Sequence, residues 1–147
     1  EFAAIIVRAL GLKLEHGPSA FTDVSDTDWY NRAIRTAHAY GLLSGYADGT
    51  FRPNEKITRE QAMVIIARAM AITGLASEMP VRSADATLGA FTDAAQASAW
   101  AANSIAEAVQ AGIVTGRTGH TLAPQDTITR AEAAAMIERL LKKSDLI

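Results

Sequence analysis

The segment Ile57–Gln61 (ITREQ) returns later in the chain as Ile128–Glu132 (ITRAE), and the residues around it return with it. Upstream, Phe21–Asp23 (FTD) returns as Phe91–Asp93. The other matches keep the same order along the chain: Trp29 with Trp100, Ile34 with Ile105, Gly41 with Gly112, Gly45 with Gly116 and Pro53 with Pro124. So many matches in a single order indicate an internal repeat and a repeat architecture.

The repeat divides the chain into four segments. Ile5–Ala9 resembles Ile65–Ala69 near the end of the first complete copy. The chain is therefore expected to open in the final helix of an earlier, incomplete repeat. The connector between the complete copies is rich in small residues and is the better candidate for a mobile loop. The predicted segments are the incomplete repeat with its connector at 1–20, the complete copies at 21–72 and 91–143, and the connector at 73–90.

Each complete copy is predicted to fold as helix, loop, helix. Apolar residues recur at three- and four-residue spacing in each helical segment, which is typical of amphipathic helices. In the first copy they are Trp29, Ala33, Ile34, Ala37 and Tyr40, then Ala62, Ile65, Ile66 and Ala69. Because one helix pair cannot cover both of its apolar stripes, the repeats are expected to pack together as an all-α bundle.

The ends of these helices carry capping residues. Gly41 and Gly112 are placed for a left-handed C-cap at the end of the first helix of each copy. The N-terminus of that helix is expected to be capped in the first copy by Ser25, Asp26 or Asp28. The second helix of each copy begins with a capping box, formed by Thr58 with Gln61 and by Thr129 with Glu132.

Each capping box also contains an arginine that capping does not explain. Arg59 and Arg130 occupy the first helical position, where the helix dipole disfavours a cation by roughly 0.3–1 kcal/mol. A compensating anion is expected there. It is either a ligand carboxylate, held by the guanidinium fork and by free helix amides, or an internal carboxylate such as Asp48 or Asp126. The ligand hypothesis predicts that Arg59→Ala and Arg130→Ala leave the fold intact and weaken binding.

Aromatic residues and glycines supply further candidates. The helical spacing of Trp29 and Trp100 favours a core position, with a sugar-stacking platform as the alternative. Tyr46 lies in a glycine-bounded loop and is better placed for stacking. Gly45 and Gly116 are expected to permit either an unusual backbone conformation or the close approach of a ligand.

Composition excludes several functional classes. The chain of 147 residues is 49% hydrophobic and carries a net charge of −2, so it lacks the basic character of a nucleic-acid-binding domain. Its apolar stretches are too short to span a membrane. The absence of cysteine excludes thiolate metal sites, and it favours an intracellular protein or a Gram-positive surface protein. No cofactor is expected.

At the repeated positions the chain resembles the S-layer homology family. The resemblance is carried in the first copy by Phe21–Val24, Trp29, Gly41–Leu42, Gly45–Phe51, Pro53 and Ile57–Glu60, and in the second by Phe91–Asp93, Trp100, Gly112–Ile113, Gly116, Pro124 and Ile128–Glu132. It implies three tandem repeats in a pseudo-threefold bundle. It also implies a non-catalytic module at the extracellular cell surface that binds secondary cell-wall polymers, often through pyruvylated N-acetylmannosamine.

The resemblance further implies grooves between neighbouring repeats, with Arg59 beside the loop at Gly116. In that loop Arg117–His120 replaces Tyr46–Gly49, so its ligand contacts are expected to differ. The expected ligand-binding residues are Arg59, Arg130, Gly45, Gly116, Tyr46, Asp48, Trp29, Trp100, Gln61, Glu132 and Arg117.

Other functions are less well supported by the sequence. Asp23–Ile34 resembles a calcium loop, but Asp28 stands where that loop needs glycine and Ile34 where it needs glutamate. The histidines do not recur at equivalent repeat positions, and no nucleophilic triad stands out. The main alternative is a protein-interaction or self-assembly module, in which the incomplete first repeat leaves apolar surface for self-association.

Overall fold

The computed structural model describes all 147 residues of the chain. It contains six α-helices and two short 3-10 turns but no β-sheet, which confirms the predicted all-α class. The α-helices are α1 (Phe2–Ala9), α2 (Asn31–Ala39), α3 (Arg59–Thr73), α4 (Ala84–Leu88), α5 (Ala102–Gln110) and α6 (Arg130–Lys143). The 3-10 turns are Leu75–Glu78 and Ala94–Gln96. None of these helices combines the length and the hydropathy that crossing a bilayer requires.

The two long helices, α3 and α6, begin at the predicted capping boxes. At α3, Thr58 Oγ1 accepts from the backbone N–H of Gln61 at 3.3 Å, and Gln61 Oε1 accepts from the backbone N–H of Thr58 at 2.8 Å. Thr129 and Glu132 make the same pair of bonds at α6, each at 3.1 Å. Each box satisfies backbone donors that the helix itself leaves without partners. Both predictions are confirmed.

The starts of α2 and α5 differ from the prediction. α2 begins at Asn31, and no side chain caps it. Asp28 instead closes a preceding turn, in which its carboxylate accepts from the backbone N–H of Ser25 at 2.8 Å. Trp29 and Trp100 therefore precede their helices, and their exposed fractions are 68% and 63%. The predicted core position of both tryptophans is wrong, because helical spacing has no meaning outside the helix.

The predicted left-handed caps are present. Gly41 and Gly112 follow α2 and α5 with φ values of 72° and 73°. At the end of α2, the N–H of Leu42 returns to the carbonyl of Ala37 at 2.8 Å. Only glycine adopts this conformation without steric cost, which explains its presence at both positions.

The helices form two compact units, Glu1–Glu55 and Lys56–Ile147. In the first unit α1 packs against α2, and its core includes Ile6, Val7, Ile34 and Leu42. In the second unit α3 packs against α5 and α6, around a core that includes Met63, Ile66, Ile105, Leu122 and Leu140. Because α3 closes one sequence copy and α5 opens the next, the second unit is built across the repeat boundary.

The connector at 73–90 contains secondary structure that the sequence analysis does not predict. It contains a 3-10 turn and the short helix α4, which packs against α5. Leu88 at the end of α4 is buried. A helix of five residues is too short to show a periodic pattern, so the sequence does not reveal it.

The repeated Phe-Thr-Asp motif fixes the loop of its own copy. In the second copy, the carboxylate of Asp93 accepts from the backbone N–H groups of Leu122 and Ala123, both at 2.8 Å. In the first copy Asp23 accepts from Phe51 and Arg52, at 2.8 and 2.7 Å. These bonds hold the residue before each proline at positive φ, 60° at Arg52 and 45° at Ala123. Loop geometry therefore accounts for Asp23, the first residue of the calcium-like segment.

Candidate functional site

A groove of about 120 Å³ lies in the second unit. One wall is a face of α6, formed by residues at helical spacing, and the rest comes from the start of α3 and the loop after α5. The lining residues are Arg59, Thr115, Gly116, Glu132, Ala135, Met136 and Arg139. The structure thus brings Arg59 from one sequence copy to the Gly116 loop of the next, as the family resemblance implied.

Backbone pairing between the two capping segments places Arg59 at this groove. Thr58 and Thr127 form an isolated antiparallel bridge, and the N–H of Ile128 donates to the carbonyl of Ile57 at 3.1 Å. The two helix starts are therefore side by side. As a result, a residue at the first position of α3 reaches the first turn of α6.

The amides at the start of α3 are already satisfied by the chain. The backbone N–H of Arg59 donates to the carbonyl of Asp126 at 2.8 Å, and that of Glu60 donates to the carbonyl of Pro124 at 3.0 Å. The N–H of Gln61 is bonded within the capping box. The expectation that this helix start offers free amides to an anion is wrong, because loop carbonyls occupy them.

The side chain of Arg59 is buried and bonds the protein through Nε and Nη1. Only 2% of the residue is exposed. Its Nε donates to the carbonyl of Leu122 at 2.8 Å, and its Nη1 donates to the carboxylate of Glu132. An internal ion pair is thus present, but its partner is neither of the aspartates that the sequence suggested. Of those, Asp48 bonds Thr50 and Arg52.

Glu132 is the centre of a charged network. Arg117 binds its carboxylate in a bidentate manner, with Nε donating to Oε2 at 3.1 Å and Nη2 donating to Oε1 at 3.0 Å. These bonds, together with those from Thr129 and the charge of Arg59, outweigh partial burial and lower the pKa of Glu132 from 4.5 to about 2. Arg117 also pairs with Asp126 at 2.6 Å. Glu132 is therefore ionised across the physiological range.

Arg139 lines the same groove but forms no ion pair with a carboxylate. Its Nη1 donates to the carbonyl of Ile113 at 3.1 Å and to the hydroxyl of Thr115 at 3.4 Å. Arg139 is absent from the binding residues expected from the sequence. Its only signal was the match between Arg139 and Arg68 in the two copies, which does not separate a structural arginine from a binding one.

Glu60 is a second residue that the sequence did not single out. It is 3% exposed, and its carboxylate accepts from the backbone N–H and the hydroxyl of Ser98, at 2.9 and 2.7 Å. Ser98 opens the turn that carries Trp100 into α5. Glu60 therefore ties the start of α3 to the segment that presents this exposed indole ring.

The repeated loop glycines make room for the chain's own phenylalanines. A Cβ at Gly116 would lie 2.7 Å from the ring of Phe91 and 2.8 Å from the carbonyl of Thr121. A Cβ at Gly45 would lie 2.3 Å from the ring of Phe21. Both glycines also have positive φ, at 80° and 70°. The sequence left open whether these glycines permit an unusual backbone conformation or the close approach of a ligand. Their positive φ and their packing against phenylalanine rings explain both residues without a ligand.

Comparison with known proteins agrees with this architecture. The model of the S-layer homology domain matches residues 20–63 and 90–134, which together exceed half of the chain. The chain belongs to the S-layer homology domain family. This confirms the resemblance drawn from the repeated motifs, and with it the predicted location at the cell surface. S-layer homology domains are non-catalytic modules that anchor proteins to the cell wall.

Relatives carry this S-layer homology region within much longer chains. An amylopullulanase of Thermoanaerobacterium thermosulfurigenes is 42% identical over 98% of this chain, which spans 7% of that protein. Cell surface glycoprotein 1 of Acetivibrio thermocellus is 33% identical over 99% of the chain, or 6% of its own length. A cellulosome-anchoring protein of the same species is 28% identical over 99% of the chain, or 32% of its length.

The remaining predicted binding residues of the S-layer homology copies lie outside the groove lining. In the first unit the guanidinium group of Arg52 stacks over the Tyr46 ring at 3.9 Å, and Trp29 makes an edge contact with Tyr30. In the second unit Trp100 and Arg130 are exposed. The structure therefore groups Arg59, Gly116 and Glu132 in one lining, with Arg117 bonded to Glu132.

Proposed function

We propose that this module binds an anionic secondary cell-wall polysaccharide, with pyruvylated N-acetylmannosamine as the recognised unit. By doing so it attaches the polypeptide that carries it to the wall. The groove of the second unit supports the proposal best. Its ion-paired network balances the guanidinium groups of Arg59 and Arg117 against the carboxylates of Glu132 and Asp126. Arg139 adds a third guanidinium group to the lining and forms no ion pair. One positive charge is left over, although the whole chain carries −2.

The groove has a volume of about 120 Å³ and is partly open to solvent. A charged branch of a sugar can therefore enter it from the solvent side. The ketal-linked carboxylate of a pyruvylated sugar fits such a space, with the saccharide ring held outside it. Each unit also exposes one indole ring, Trp29 in the first and Trp100 in the second, which offers an apolar face to a sugar of the polymer. The pseudo-threefold arrangement and its further grooves stay predictions.

Sedimentation with purified cell walls tests the proposal. We expect the chain to sediment with intact walls and to remain in solution with walls whose polysaccharide has been removed chemically. Retention on the stripped walls would contradict the proposal and would favour the rival function, a protein-interaction or self-assembly module. Sedimentation of the chain without walls detects self-association. The same walls should release no reducing sugar, and release would point to an enzyme.

A further inference from the structure

We propose that Arg139, and not Arg59, is the residue that receives the ligand carboxylate in the groove of the second unit. This inference rests on the proposed function and names the contact that would give it anion specificity. It concerns a guanidinium group outside both capping boxes.

Only one nitrogen of the Arg139 guanidinium group, Nη1, bonds the protein. A guanidinium group has five N–H donors, and the edge formed by Nε and Nη2 matches the two oxygens of a carboxylate. Both protein bonds of Arg139 are made by Nη1, to the carbonyl of Ile113 and to the hydroxyl of Thr115. The Nε and Nη2 edge is left for a ligand.

In Arg117 the same edge of the guanidinium group, formed by Nε and Nη2, binds a carboxylate. Its Nε and Nη2 bind the two oxygens of Glu132 at 3.1 and 3.0 Å, and its Nη1 pairs with Asp126. Arg59 is likewise committed, to Leu122 and Glu132, and is buried. Of these three arginines, Arg139 alone forms no ion pair, and the carboxylate of Glu138 acts on it only through its charge. The surplus positive charge of the groove is therefore assigned to Arg139.

The guanidinium group of Arg139 is held in place by the segment after α5. Its two bonds to the segment after α5 hold the guanidinium group against the same loop that contributes Thr115 and Gly116 to the lining. A donor that is oriented before the ligand arrives loses less side-chain entropy on binding. Arg59 then acts as a positioning residue, because it anchors the start of α3 and the carboxylate of Glu132.

The test is calorimetric titration of the whole chain with synthetic pyruvylated N-acetylmannosamine. Arg139→Gln should weaken binding roughly 10- to 100-fold, the usual effect of losing hydrogen bonds to a charged group. Arg139→Lys should recover only part of the affinity, because a lysine keeps the charge but not the fork. Arg82→Gln removes the same charge from an exposed connector residue outside the groove and should change the affinity less than about twofold.

A second readout remains informative if Arg139→Gln proves unstable. In the wild-type chain, the NMR signal of the Arg139 Nε–H group, assigned by its absence from Arg139→Lys, should shift as the sugar saturates the protein. Folded Arg139→Gln with wild-type affinity, or an unmoved Nε–H signal at saturation, would overturn the assignment of Arg139 while leaving the proposed function standing. Failure of the wild-type chain to bind the pyruvylated sugar would overturn both.

Discussion

The guanidinium group of Arg59 is paired with the carboxylate of Glu132, 73 positions further along the chain, in a site from which Arg59 exposes only 2% of its surface. The pair joins the first turn of α3 to the first turn of α6, and so holds two sequence copies together. We expect Arg59→Ala to lower the free energy of unfolding by about 2–4 kcal/mol, measured by urea denaturation. The sequence-based expectation was an intact fold.

Arg130→Ala is the matched control for this prediction. Arg130 occupies the same position at the start of α6, but it is exposed. Its replacement should cost about 1 kcal/mol or less, because surface substitutions rarely cost more. Equal losses for the two variants would show that the burial of Arg59 is not what makes it structural.

The ionisation of Glu132 should make stability depend on acid pH. Its pKa is lowered from 4.5 to about 2 by Arg117 and its other partners, so the folded state favours the carboxylate. The stabilisation is complete above about pH 4.5 and is lost as the pH falls towards 2. It amounts to about 3 kcal/mol at most. We expect the difference in unfolding free energy between the wild-type chain and Glu132→Gln to be constant near neutral pH and to shrink over this range. A pH-independent difference would contradict the network.

The loop glycines allow packing to be separated from backbone strain. Gly116→Ala would place a Cβ 2.7 Å from Phe91, whereas a Cβ at Gly119 meets nothing within 4 Å. Both residues have positive φ, 80° and 86°. Gly119→Ala should cost about 1–2 kcal/mol from strain alone, and Gly116→Ala a further 1–3 kcal/mol from overpacking. Thermal unfolding of the two variants measures the difference.

The first copy provides an independent repetition of this comparison. A Cβ at Gly45 would lie 2.3 Å from the ring of Phe21, whereas a Cβ at Gly49 would meet nothing within 4 Å. Gly45→Ala should therefore be more destabilising than Gly49→Ala by a similar margin. Equal losses within either pair would show that backbone conformation alone requires the glycines repeated in these loops.

Trp100 should contribute to binding and little to stability. Its indole ring is 63% exposed, in contrast to the fully buried Ile105 in the following helix. Trp100→Ala should change the unfolding free energy by about 1 kcal/mol or less, whereas Ile105→Ala should cost about 2–5 kcal/mol. Retention on cell walls should fall roughly 3- to 10-fold for Trp100→Ala, because a stacking surface is lost. A large loss of stability would place the ring in the core after all.

Features that depend on neighbouring residues were predictable from the sequence. The capping boxes at Thr58 and Thr129 and the glycine caps at Gly41 and Gly112 each involve residues only a few positions apart, so their patterns are visible in the chain. The tryptophans were misplaced by the same method. Spacing assigned Trp29 to a helical stripe, but the helix begins two residues later, at Asn31.

Features that depend on tertiary contacts were not predictable. The compensating anion of Arg59 was expected from the helix dipole alone. Its identity required knowing that Thr58 pairs with Thr127 and brings two helix starts together. The same is true of Arg139, whose proposed role depends on the ion pairs that Arg59 and Arg117 form and that Arg139 does not. The family resemblance implied a groove at Arg59 and the Gly116 loop, but it did not give the roles of the individual arginines.

The most direct test of the central claim is calorimetric titration of the wild-type chain with pyruvylated N-acetylmannosamine and, in parallel, with the same sugar lacking pyruvate. A groove with one surplus guanidinium group should bind the pyruvylated sugar, with an affinity that falls as salt is added, and should give no measurable heat with the neutral one. Equal affinity for the two sugars would contradict an anion-binding groove.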